Sequence, residues 1–197
     1  MVLAIALCGC SIPLDSLTPS AGPREEPAAS ANIASLNRSI STNPDDPTSY
    51  NMRGLALMQV GKTDEALADF NKAIALRSDN AEAFYNRGLL LQGERQYQAS
   101  IDDFTAAHGL VPQQVEPLLA RALSYLALGQ AKEAAADLDE AVQDDPQNAQ
   151  LWMNRGLAYE RLGDRTKAAV SYARAISLRP GDEAARTGFA RVGGKPG

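Results

Sequence analysis

Residues 81–114 read AEAFYNRGLLLQGERQYQASIDDFTAAHGLVPQQ, and residues 115–148 read VEPLLARALSYLALGQAKEAAADLDEAVQDDPQN. Laid one above the other they keep the same residue types in the same columns. The stride extends to both sides. Arg53-Gly54, Arg87-Gly88, Arg121-Ala122 and Arg155-Gly156 follow one another at 34 residues. At the same step come Tyr50, Phe84, Leu118, Trp152; Leu57, Leu91, Tyr125, Tyr159; and Ala66, Ser100, Ala134, Ala168. Phe70, Phe104, Leu138, Tyr172, then Ala73, Ala107, Ala141, Ala175, and finally Ser78, Pro112, Pro146, Pro180 complete the pattern. Fixed self-similarity at this period marks a stacked repeat.

Each unit divides into two helices. Tyr50, Gly54 and Leu57 fall at i, i+4 and i+7, one helical face, and Ala66, Phe70 and Ala73 do the same further on. Small residues at 54 and 66 let two backbones approach closely. Gly61, Gly129 and Gly163 stop the first helix, where positive φ is needed, and the prolines end the second. One such pair cannot bury its own apolar face, so neighbours must stack.

These columns resemble the tetratricopeptide repeat family over residues 47–182, about two thirds of the chain. The resemblance implies an all-α, right-handed solenoid of four helix hairpins, 47–80, 81–114, 115–148 and 149–182. Residues 29–46 align with the second helix of a unit and its linker, a half-repeat cap. Residues 183–197 are expected to give a closing helix, with Asp182 as N-cap and Phe189 over the last core face, then a disordered tail from Gly193.

The resemblance also places a binding groove on the concave side, lined by the first helices. By register its inward residues are Asn51, Leu55, Met58, Tyr85, Leu89, Gln92, Leu119, Leu123, Leu126, Met153, Leu157 and Glu160. Family members that grip a chaperone's C-terminal carboxylate use Lys and Asn at set inward positions. Asn51 matches one, but Leu55, Leu89 and Leu123 stand where polar groups are needed, so that function is rejected. The expected occupant is a protein or peptide partner with an apolar face, met by pliable Met58 and Met153.

One column departs from the family, which favours an apolar residue before the helix glycine. Here it is Arg53, Arg87, Arg121 and Arg155. Sixteen residues on stand Asp69, Asp103 and Asp137, but Ser171. An ion pair within each of the first three units is expected, rather than an arginine ladder for an acidic ligand. Arg155, lacking a carboxylate there, is the one expected to serve a ligand.

The rest of the chain bounds function. With 197 residues, 45% hydrophobic and 22% charged, this is ordinary globular composition. A net charge of −5 argues against sequence-independent nucleic-acid binding, which needs a basic face. Two Cys, Cys8 and Cys10, and one His, His108, exclude most zinc sites, any Cys-ligated iron–sulfur cluster and any disulfide framework in the folded body, and no metal or cofactor is expected. His108 shares a column with Ile74, Val142 and Ile176 and is expected to be packed. No carboxylate pair meets a nucleophile, so no enzyme is expected.

Residues 1–10, MVLAIALCGC, are too short an apolar run to span a membrane and suit a secretory signal. The ending Leu7-Cys8-Gly9-Cys10 resembles a bacterial lipobox, with Cys10 as the lipidated residue. Residues 11–28, carrying Pro13, Pro19, Pro23 and Pro27, read as an extended tether. The whole then suggests an envelope scaffold on the periplasmic face of the outer membrane, held by a lipid anchor. A cytosolic adaptor and a self-assembling subunit are the alternatives.

Overall fold

The computed structural model describes residues 27–194, with side chains from residue 30 onward. Cys10 and the signal lie outside the described residues, as does the tether up to residue 26. The described chain is ten helices with no strand among them: α1 Pro27–Thr42, α2 Pro47–Gln59, α3 Thr63–Leu76, α4 Ala81–Gly93, α5 Tyr97–Leu110, α6 Glu116–Ala127, α7 Ala131–Asp144, α8 Ala149–Leu162, α9 Arg165–Leu178 and α10 Glu183–Arg191. The pairs α2–α3, α4–α5, α6–α7 and α8–α9 are the four repeats. The helix α1 holds the register of a second helix, and α10 that of a first.

Two boundaries differ from the sequence expectation. Pro27, within the expected tether, begins α1. A proline in the first turn loses only an N–H that no helical carbonyl would accept. At the other end Gly193 and Gly194, taken as tail, close α10: their N–H groups donate to Ala190 O and Phe189 O.

Short polar side chains start most of the first helices. Asp46, Asn80, Asn148 and Asp182, in one column of the repeat, each accept from backbone N–H groups one turn in. These contacts satisfy donors that a helix start leaves unpaired. The first helices end in left-handed residues, Gly61 (φ +77°), Gly129 (+77°) and Gly163 (+80°). The second unit does this with Arg95, φ 59°, a conformation that disfavours a side chain.

The curvature follows from which helices touch. Each first helix meets the next first helix, in the series α2, α4, α6, α8, α10. No second helix comes within 8 Å of the next, Cα to Cα. The first helices therefore lie on the inner radius of the solenoid and the second helices on the outer one. Inside each hairpin the packing is tight. A Cβ added to Gly54 or Gly88 would stand 2.6 Å from the ring of Phe70 or Phe104, and at Gly156 the same distance from Tyr172. Unit three carries Ala122 and, in the ring column, Leu138, both fully buried. The smaller opposing side chain leaves room for the methyl group.

Buried apolar side chains gather in two clusters. One spans units one and two around Phe70, the other units three and four around Leu138 and Tyr172. Between them Ser100 and Ser124, both fully buried, share a hydrogen bond of 2.8 Å.

Candidate partner-binding groove

The inner face is built by side chains three or four residues apart on successive first helices. Leu55, Leu89, Leu123 and Leu157 are all half-buried, one per unit. Beside them lie Met58, Tyr85, Leu119 and Met153, also half-buried. These eight form an accessible, mostly apolar strip.

Five other residues expected to serve a ligand are buried or already engaged by neighbouring helices. Asn51 is 2% exposed, and its Oδ1 accepts from Asn86 Nδ2 at 3.0 Å, tying α2 to α4. Leu126, 4% exposed, belongs to the core. Gln92 donates from Nε2 to Ala120 O at 2.9 Å and to Ser124 Oγ at 2.8 Å, fastening α4 to α6. Glu160 accepts from Arg191 Nε at 2.7 Å and Nη2 at 3.0 Å, and from the Tyr172 hydroxyl. The Arg191 contact holds the Glu160 carboxyl below the usual carboxylate range, while burial pushes the Tyr172 phenol up. For Asn51, Gln92 and Glu160 the adjoining first-register helix claims the side chain that register within one helix assigns to the groove.

Arg155 is the fifth, and its surroundings overturn the expectation that it lacks a carboxylate. It donates from Nε to Asp139 Oδ1 at 2.7 Å and from Nη1 to Ser171 Oγ at 2.7 Å. Asp139 sits in α7, sixteen residues before Arg155 rather than after it. Trp152 and Tyr159 place their rings 5.5 and 4.9 Å from the guanidinium, and the Tyr159 hydroxyl donates to the second Asp139 oxygen at 2.6 Å. Residues two apart on a helix point about 200° away from one another. Arg155 therefore faces the outer helices while Leu157 faces the groove.

The other three arginines make the same three-helix joint with the charges placed the other way. Arg53 donates from Nε and Nη2 to both Asp69 oxygens at 2.7 Å, and from Nη1 to Asn37 of the preceding helix at 2.7 Å. Arg87 meets Asp103 at 2.8 and 2.6 Å and Asn71 at 2.6 Å. Arg121 meets Asp137 at 2.8 Å twice and Thr105 at 2.9 Å. The hydrogen bonds they donate to Asp69 and Asp137 raise Arg53 and Arg121 above the ordinary arginine value. His108 is mostly covered, with Nε2 3.3 Å from Glu140 Oε1.

Two hollows open on the inner face. One, about 490 Å³, lies between the starts of α4 and α6 and the end of α5, lined by Glu82, Tyr85, Ala107, Val111, Gln114 and Glu116 among others. The other, about 430 Å³, lies between α8 and α10, lined by Met153, Leu157, Tyr172, Glu183, Thr187 and Arg191. Sequence reasoning missed Glu82 and Glu116. Each stands three residues before an inward residue, Tyr85 or Leu119, and so shares its face. A larger hollow of about 880 Å³, between α9 and α10, holds none of the four leucines. Among the described residues no His, Cys, Asp and Glu group is arranged to hold a metal ion, and no helix is long and apolar enough to cross a membrane.

A TPR repeat model matches residues 54–93, and a tetratricopeptide repeat model matches residues 119–183, together more than half of the chain. The chain belongs to the tetratricopeptide repeat family. No curated protein sequence matches it. Among solved structures, MamA 41-end from Desulfovibrio magneticus RS-1 superposes with a TM-score of 0.73 at 21% identity, covering 80% of this chain and 89% of that one. A tetratricopeptide repeat protein from Parabacteroides merdae gives 0.72 at 20%, covering 83% and 65%. The first TPR of Spaghetti (RPAP3), bound to the HSP90 peptide SRMEEVD, gives 0.56 at 23%, covering 58% and 91%. At these identities the likeness is one of fold, the stacked helix-hairpin solenoid.

Proposed function

We propose that the chain is a non-enzymatic scaffold that holds a segment of a partner protein along its inner face. The observation that carries this is the leucine column, Leu55, Leu89, Leu123 and Leu157, left half-exposed in register on four successive helices. A packed core would bury them, and a merely solvated face would not repeat a large apolar residue four times. Leu123 lies in the third unit of the column. Changing it to glutamate is expected to cut partner capture at least about tenfold, as loss of a buried anchor does. Full-length parent and variant are compared by quantitative mass spectrometry of proteins captured from membranes, with circular dichroism reporting the fold. Undiminished capture by a folded variant moves binding off this face.

The same proposal holds the array on a tether anchored by a lipid at Cys10, at the periplasmic face of the outer membrane. Support comes from sequence alone: the apolar run 1–9, the Leu7-Cys8-Gly9-Cys10 ending and the prolines that follow. Stable anchoring takes more than one acyl chain, which full lipidation supplies. In cells fed radioactive palmitate, the parent is expected to take up label and Cys10→Ser to lose it. Equal label in both removes the anchor from the proposal.

A further inference from the structure

We infer that the segment held in this groove carries a basic side chain, seated between Glu82, Tyr85 and Glu116, and a large apolar side chain about two helix steps further along. The inference rests on the groove reading given above and adds the partner's chemistry.

The inner face is apolar at its centre but not neutral. Glu82 and Glu116 are both exposed, on the first turns of α4 and α6. Among the described residues neither makes a hydrogen bond or an ion pair. Their situation contrasts with Glu160, the inner-face carboxylate that Arg191 neutralises. A first-turn carboxylate also suits its own helix dipole, yet α2 and α8 hold Thr48 and Gln150 at the same position. The fold does not require a charge there. Between the two carboxylates the Tyr85 ring walls a hollow of about 490 Å³, and burial together with Glu116 raises its phenol. A cation against an aromatic wall between two carboxylates is favoured on both counts.

The second hollow lies two first-helix steps away, past Leu119 and Leu123, and is walled by Met153 and Leu157. Packed helices sit about 8–10 Å apart, so the two seats are roughly 16–20 Å from each other. An extended chain advances about 3.3 Å per residue. The basic and apolar anchors of an extended segment therefore stand about five or six residues apart. This polarity is opposite to that of the acidic peptide SRMEEVD held by the Spaghetti repeat.

The test is selection of random dodecapeptides on phage against the full chain, with Glu82→Gln/Glu116→Gln and Leu123→Glu as parallel baits. Against the parent, recovered sequences are expected to be enriched in Arg or Lys about five or six residues from Leu, Ile, Met or Phe. Against the double glutamine variant the basic enrichment should vanish and the apolar one persist. A parent-selected peptide should bind that variant about fivefold more weakly at low salt, the difference shrinking as salt rises. Peptides that depend on Leu123 but show no basic preference, or an acidic one, overturn the inference and leave the groove standing. Peptides indifferent to Leu123→Glu overturn the groove itself.

Discussion

Gly88→Val is expected to destabilise the array by about 3 kcal/mol or more, measured as a shift in the urea midpoint followed by circular dichroism. Overpacking a filled core costs about 1–3 kcal/mol in general. Here even the first carbon of a side chain would lie 2.6 and 2.8 Å from two atoms of the Phe104 ring. That ring is fully buried and has nowhere to retreat. Helix propensity pulls the other way, because almost any residue is a better helix former than glycine, but by only about 0.5–1 kcal/mol. Unit three shows how the same contact tolerates a methyl group, with Ala122 and Leu138 in the equivalent columns. Gly88→Ala/Phe104→Leu copies that pair and is expected to lose only about 1 kcal/mol, less than the sum of its parts. A double variant no better than the additive value would mean that the ring does not set the spacing.

Arg87→Asp is expected to cost about 3–5 kcal/mol, the range for removing one partner of a buried ion pair. The Asp103 side chain is 6% exposed and that of Arg87 is 23%. Reversing the arginine strips Asp103 of both its donors and sets a second carboxylate against it. Adding Asp103→Arg restores opposite charges on the two helices and is expected to recover about half of the loss. It does not recover all, because the transplanted guanidinium no longer reaches Asn71 on α3. A melting temperature unmoved by the single change would make the joint ornamental.

Much of the fold is legible in the sequence, because one 34-residue stride constrains every unit at once. The helix pairs, their glycine stops and the arginine column follow from it directly. The sequence was less informative wherever two helices compete for one side chain. Asn51, Gln92 and Glu160 look inward on a single helix, yet each is spent on the neighbouring helix, at a contact that register within one unit does not reveal. Asp139 is invisible in the column sixteen residues after each arginine, where the fourth unit holds Ser171. The column sixteen residues behind, Asn37, Asn71, Thr105 and Asp139, contains the answer. Arg95 gives no local signal at all: its left-handed backbone is imposed by its place in the stack, where other units use glycine. Pro27 reads as a breaker by composition, yet at a helix start its missing N–H and fixed φ cost the helix nothing.

The crossed charge at Arg155 limits how the hairpins could be rearranged by recombination or by an engineer. Swapping the first three among themselves leaves Arg53, Arg87 and Arg121 each with an acid of its own, but any order that takes the third from its place before the fourth strips Arg155 of Asp139. Moving the fourth behind any predecessor but the third delivers a cation to Asn or Thr with only Ser171 at home, so its transplant requires Ser171→Asp as well.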